Sequence, residues 1–420
     1  MQKRRKLKKE VKLIFAGLIC VLIVALIVFI SNFNIHLFNK HSLHDDASSY
    51  KTRDVLVFYP RTKNGRTIAK KIASKAKRNE IIDYALVPYG DYYLVEYPDK
   101  TTYLIDKDNN EIEIKEYNDE LKKIISDYLR YTLKSLENDE AYTYDFLIKT
   151  SPSKLNYNKI TSEIVGTDLL VHCKEYKCDF NIPLAVLQET LGIDLGYEKV
   201  LYTKPRYISK NRKMICFTFD DGPDISLETS RTIVDELDKL DSSASFYIIG
   251  YRLGEKQINF CKESIKKGME YGSHSQSHEY LTKLSNTEIY EEIMTPYHDL
   301  YDSEYGFGYR MKTYRPPYGS INDDVMNSLD LTAILWNVDS LDWKYRTTLD
   351  GQDCIEAIVK KVKEEANEND IVLFHDIYDT SVNSACQLLE YYIKEGYQIV
   401  SASELLEALN KTGISSFRGQ

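Results

Sequence analysis

Cysteine is scarce in these 420 residues: there are seven, and one of them, Cys20, lies in an apolar run near the amino terminus. The other six, Cys173, Cys178, Cys216, Cys261, Cys354 and Cys386, are too dispersed for a disulfide-dense scaffold. Cys173 and Cys178 bracket a hairpin-like tip, Lys174 to Lys177, where thiols and a disulfide both remain open. Basic charge is also in deficit. Without the seven basic residues and Glu10 of the first twelve, 48 basic side chains face 63 acidic ones. Such a surface is not built to hold nucleic acid, whereas a neutral or cationic polymer is compatible with it. Between residues 54 and 204 there is no Gly-rich phosphate loop, no internal repeat and no cluster of His, Cys and carboxylate at ligand spacing. Chemistry must be sought elsewhere.

What is present begins with Lys3-Arg4-Arg5-Lys6, joined by Lys8, Lys9 and Lys12, and followed by a stretch without charge from Leu13 to Ile30. Eighteen apolar or small residues nearly cross a bilayer, a secretory core is usually shorter, and Ser31-Asn32-Phe33-Asn34 is a poor cleavage site. The expectation is an uncleaved anchor over 13–31 with a basic cytoplasmic tail, 1–12. The protein is then a single-pass cell-membrane protein with everything after the anchor extracellular. Residues 32–53, with His36, His41 and His44 at irregular spacing, suit a solvated linker better than a metal site.

The length favours two domains plus appendages. Residues 54–205 mix strand-like runs at 55–59 and 92–95 with helical spacing at 67–77 and 118–136 and a hairpin over 167–181, which predicts an α+β accessory region of unassigned role. From 206 to 412 short apolar runs alternate with helix-period segments. Strands are expected at 214–219, 244–249, 332–337, 370–374 and 397–400, and helices near 226–240, 255–268, 286–303, 351–367 and 382–394. That alternation predicts an α/β fold with a parallel sheet, closed or nearly closed, before a short tail at 413–420.

Five blocks in this half carry chemistry. Thr218-Phe219-Asp220-Asp221-Gly222-Pro223 follows an apolar strand and delivers two adjacent carboxylates. On extended backbone these point to opposite faces, so one can bind a metal while the other handles a proton. His274 and His278 are four apart and can share one ion if the segment is a helical turn. Ser275 between them rules against a zincin-type protease. Arg315 stands before Pro316 and Pro317, which stiffen the loop that offers it. Asp342 and Trp343 follow the strand 333–336, and His375 ends the strand 371–374.

In residues, order and spacing these blocks resemble the polysaccharide deacetylases of the NodB-homology family, carbohydrate esterase family 4, over roughly 208–408. Their context, Gly-Ser-His-Ser-Gln-Ser-His and Asp-Ser-Leu-Asp-Trp, is most similar to the peptidoglycan N-acetylglucosamine deacetylases. The resemblance implies a distorted (β/α) barrel. It implies that Asp221, His274 and His278 bind a divalent metal, most often Zn²⁺ with Co²⁺, Ni²⁺ or Mn²⁺ as alternatives. By the same resemblance Asp220 is the general base, held by Arg315, and His375 the general acid, tuned by Asp342. The N–H of Tyr318 helps hold the oxyanion, and Trp343 and Leu373 shape the acetyl pocket. The substrate implied is a cell-wall glycan that loses acetate. Chitin oligomers, an exopolysaccharide, acetylated xylan or a non-catalytic glycan-binding role are the competing readings, and the oligomeric state is left open.

Overall fold

The structure, a computed structural model, describes residues 117–165, 168–193, 195 and 201–419, and between 47 and 114 only separate strands, one helix and two further positions. The expected tail, anchor and most of the linker lie outside the described residues. Among the described residues no helix is long and apolar enough to cross a membrane.

The chain divides into two compact units, residues 1–116, 162–171 and 181–200, and residues 117–161, 172–180 and 201–420. In the first, Ala47–Lys51, Val55–Pro60 and Glu80–Asp83 form a three-stranded sheet with helix Gly65–Lys75 between its last two strands. Pro88–Tyr89, Tyr92–Glu96 and Thr102–Asp106 form an antiparallel sheet. The expected hairpin is present as Asp168–Cys173 and Cys178–Pro183, and its two cysteines are free thiols.

The second unit carries the parallel sheet. Its strands are β1 (Met214–Asp220), β2 (Ser245–Ile248), β3 (Glu270–Ser273), β4 (Thr313–Tyr314), β5 (Thr332–Ile334), β6 (Val338–Asp339), β7 (Ile371–His375), β8 (Gln398–Val400) and β9 (Ser416–Phe417). The order is β6-β7-β1-β2-β3-β4-β5-β9, with β8 beside the start of β1, and every pairing is parallel. Two departures from expectation concern the sheet's edges. Residues 416–417, expected in a tail, form strand β9 on β5. The run 332–337 is not one strand: Leu335 bonds to Phe417 at one edge, and Asn337 bonds to Ile371 near the other. The chain therefore crosses from edge to edge at Trp336, which brings the two ends of the sheet together as a distorted barrel requires.

Helices α1 (Asp119–Ser135) and α2 (Tyr144–Lys149) belong to this unit and precede the sheet; α3 (Glu228–Lys239), α4 (Glu255–Lys266), α5 (Asn286–Tyr301), α6 (Asp323–Asn327), α7 (Asp342–Tyr345), α8 (Gly351–Glu365), α9 (Asp379–Lys394) and α10 (Ala402–Ala408) follow strands in it. The region expected over 54–205 is thus shared between the two units.

Helix α1 starts at Asn118, whose side chain accepts the Leu121 N–H at 2.8 Å. It buries Leu121, Ile125, Leu129 and Leu133 on one stripe, and Asp127, Arg130 and Lys134 are buried beside them. These charges meet others from around the sheet. Lys134 Nζ lies 2.5 Å from Asp241, and Lys204 Nζ lies 2.9 Å from Asp238 and 3.7 Å from Asp127. Lys204 is also 3.2 Å from Asp241 Oδ1, an ionic contact without hydrogen-bond alignment. Arg206 Nε pairs with Glu404 at 2.6 Å, and its NH1 donates to the Asp241 carbonyl. Burial alone would raise the Asp241 pKa, but Lys134, Lys204, Arg130 and Arg206 overcome it and hold the carboxyl well below the usual carboxylate range.

Candidate active site

Strand β1 is buried along its whole length. Met214 and Cys216 pack inward with Tyr247, Ile334, Ile371 and Val400. Phe217 and Phe219 alternate to the other face, where Phe219 stacks on Phe246 and Phe374 at 5.0 and 5.6 Å. The alternation puts Thr218 and Asp220 on the inner face. Arg315, fully buried just after β4, lies against both: NH1 donates to Thr218 Oγ1 and to Asp220 Oδ1, each at 2.8 Å. Its Nε donates to the Ile334 carbonyl at 2.9 Å, and the Tyr247 ring stands 4.4 Å from the guanidinium. Burial raises the Asp220 pKa, and Arg315 and His375 offset part of the rise.

Asp221 does not continue the strand. Its φ of +70° turns the backbone into the left-handed region, so the opposite-face expectation fails and both carboxylates reach one place. His274 Nε2 is 3.6 Å from Asp220 Oδ2 and 3.7 Å from Asp221 Oδ1; His278 Nε2 is 3.5 Å from Asp221 Oδ1. The expected helical turn over 274–278 is also absent, since these residues form a loop with φ of +69° at Ser275 and +64° at His278. Strand-end hydroxyls compete with helical bonding there: Ser273 Oγ accepts the Ser275 N–H at 3.3 Å, and Ser275 Oγ accepts the His278 N–H at 2.9 Å. The two imidazoles still converge, with centroids 5.0 Å apart.

Across the β1–β7 pairing, His375 is the register partner of Asp220 and lies on the same face. Its Nδ1 is 2.8 Å from Asp342 Oδ1, while its backbone N–H donates to Oδ2 at 2.7 Å. Asp342 is completely buried at the start of α7, and it also accepts from Ser381 Oγ and the Trp343 N–H. Burial alone would raise its pKa, but its bonds and the His375 charge bring it below the ordinary value.

The profile of the polysaccharide deacetylase family matches residues 208–334. A peptidoglycan-N-acetylglucosamine deacetylase of Bacillus cereus is 30% identical over 47% of this chain and 91% of its own length. The chain belongs to the polysaccharide deacetylase family. Two other relatives are longer. Peptidoglycan-N-acetylmuramic acid deacetylase PdaC of Bacillus subtilis is 35% identical over 50% of this chain and 42% of its own; its solved structure aligns with a TM-score of 0.42 over 49% of this chain and 95% of that one. Peptidoglycan-N-acetylglucosamine deacetylase PgdA of Listeria monocytogenes is 34% identical over 47% of this chain and 40% of its own. The chain spans less than half the length of these last two relatives.

For a polysaccharide deacetylase the donor set matters most. Asp221, His274 and His278 each offer one ligand atom, and these atoms lie within 4.8 Å of one another. Asp221 Oδ1 is buried and accepts no hydrogen bond, an orphaned acceptor that a cation would satisfy. Both Nδ1 atoms are engaged elsewhere, His274 with the Arg315 carbonyl at 2.8 Å and His278 with the Tyr318 hydroxyl at 3.1 Å, which leaves the Nε2 atoms turned toward Asp221. Burial lowers the His274 pKa to about 3, so the ring is neutral, as a ligand must be. Two nitrogens and one carboxylate oxygen suit a tetrahedral ion with an open position.

Tyr318 sits at φ +60° in the turn after Pro316-Pro317 and is half exposed. Leu373 is buried in β7 as the register partner of Thr218, and Trp343 is 46% exposed on α7. Three residues of the site were given no role by the sequence. Thr218 and Ser381 are single hydroxyls that matter only through the Arg315 and Asp342 they bind. Tyr280, beside Tyr318, is one of 34 tyrosines.

Proposed function

We propose that this protein is a metal-dependent hydrolase that removes N-acetyl groups from N-acetylglucosamine units of cell-wall peptidoglycan and releases acetate. The observation that carries the reading is the convergence of Asp221, His274 and His278 beside a general base, Asp220, and a loaded proton donor, His375. Family membership supports the deacetylase class, and the chain's similarity to peptidoglycan deacetylases favours a peptidoglycan substrate.

Asp221, His274 and His278 would hold the ion, most suitably Zn²⁺. When bound, it would supply positive charge that polarises an amide carbonyl and acidifies water. Asp220, its carboxylate oriented by Arg315, takes the proton of the attacking water. The main-chain N–H of Tyr318, in the turn after Pro316, would share the charge of the tetrahedral oxyanion, as the family resemblance implies. His375, with Nδ1–H held by Asp342, offers its Nε2–H to the departing amine. Leu373 and Trp343 give the acetyl methyl and the sugar an apolar wall. The uncharged stretch from Leu13 to Ile30 supports an anchored ectodomain facing the wall.

The test is acetate release from purified peptidoglycan, with N-acetylglucosamine, N-acetylmuramic acid, chitin-oligomer and acetylated-xylan arms. Acetate should appear with zinc from the first and disappear in Asp220→Asn. Loss from N-acetylmuramic acid units alone would move the assignment to the other sugar, and no release from any arm would leave a glycan-binding protein.

A further inference from the structure

The reaction leaves the side chain of Tyr318 without a task, yet its surroundings are ordered. Its ring stacks on Tyr280 with centroids 4.0 Å apart and 14° between planes, and Lys283 Nζ lies 4.1 Å from the Tyr280 centroid. The His278 ring stands 4.6 Å from the Tyr318 ring, and the Tyr318 hydroxyl is 3.1 Å from His278 Nδ1. Lys283, Tyr280, Tyr318 and His278 therefore form one chain of contacts that ends on a metal-ligating side chain.

The two histidines are held in different ways. His274 is buried, and its Nδ1 faces a backbone carbonyl, which can only accept; that partner by itself dictates Nδ1–H and a free Nε2 lone pair. His278 is more open, with 27% of its side chain exposed, and its Nδ1 faces a hydroxyl that can donate or accept. A hydroxyl orients the ring only if its own position is held. Tyr318 and Tyr280 are 54% and 39% exposed, and phenol rings that open to solvent would sample several rotamers if isolated. Face-to-face contact between them, with a cation over Tyr280, restrains both.

We propose that Tyr318, held by Tyr280, is a positioning residue for the metal: its hydroxyl accepts the Nδ1–H of His278 and keeps Nε2 aimed at the ion. The proposal rests on the reading that Asp221, His274 and His278 bind a divalent cation. Because the same residue offers its main-chain N–H to the oxyanion, one aromatic stack sets both the ligand and the donor.

The experiment measures the Zn²⁺ dissociation constant of the full chain by competition with a chelator of known affinity, and follows the His278 Nδ1 proton by nitrogen-15 NMR. Tyr318→Phe keeps the ring and deletes only the hydroxyl. It should weaken zinc binding about tenfold, the low end of the range for partners of metal-ligating histidines, because water can replace the lost acceptor. The Nδ1 proton should exchange faster with water in that variant. Tyr280→Leu should show a smaller loss in the same direction, and His278→Ala should lose tight binding. Unchanged zinc affinity in Tyr318→Phe, or a loss with the His278 Nδ1 proton unaltered, overturns the proposal while leaving the metal site standing. A wild-type chain that binds no zinc removes the metal site and the proposal together.

Discussion

At His375 two opposing effects meet. Burial disfavours an imidazolium, but the charge and hydrogen bond of Asp342, with Asp220 and Asp221 nearby, more than compensate and raise the pKa to about 9. The ring is therefore protonated through the neutral range, as a donor to a leaving amine must be. The stability it contributes is present in full below its ordinary value near 6.5 and is lost as the pH rises through about 9. Replacing Asp342 by Asn removes the largest opposing charge and lets burial dominate. The alkaline limb of kcat/KM should then move down by about 1–3 pH units, the usual effect of one close opposite charge. A pH profile with an unmoved limb would take Asp342 out of this role. At this scale the sequence identified the titratable side chains but not their directions. Asp220 and Asp221 share a site because of one positive φ, and His278 joins them through hydroxyl-capped turns instead of a helical face.

Among the elements, helix α1 shows how a segment far from the catalytic motifs becomes part of their support. Its Asp127, Arg130 and Lys134 meet Lys204, Arg206, Asp238 and Asp241 out of water, where an unpaired charge is costly. Asp241→Asn keeps the shape and removes one anion, leaving Lys134 without its 2.5 Å partner. The expected loss is about 3–5 kcal/mol in urea unfolding, the usual cost of breaking a buried pair from one side. A loss under about 1 kcal/mol would mean that water already screens the cluster. Because the Asp241 pKa is depressed, its contribution is present above the ordinary carboxylate range and fades as acid brings the pH through the lower folded value. By the same argument a fragment that begins at residue 206 lacks both α1 and Lys204 and should melt well below one that begins at 117; equal melting temperatures would show that α1 is dispensable. The helical spacing of 118–136 was plain in the sequence, but its partners Tyr202, Asp241 and Asp238, 75, 107 and 115 residues away, were not. Strands β4, β6 and β9 were illegible for another reason: two residues are too few to show a period.

For the molecule as a whole, the charge-free stretch at 13–30 makes a separate claim about place. Deleting residues 2–31 should move the protein from the membrane fraction to the soluble one and leave acetate release from soluble glycan fragments unchanged; a deletion variant that still pellets with membranes would refute the anchor. The sequence by itself determined the family, through five short blocks, and the α/β class, through apolar runs alternating with helix-period segments, because both are recorded in residue type and local spacing. Tertiary structure alone decided how the chemistry is assembled. The edge-to-edge crossing at Trp336, the span of Arg315 from β1 to the end of β5, and the stack of Tyr280 on Tyr318 all join residues whose separation along the chain carries no sign of their contact. Such pairings depend on where the backbone turns, and a turn of one or two residues redirects a side chain without leaving a pattern to read.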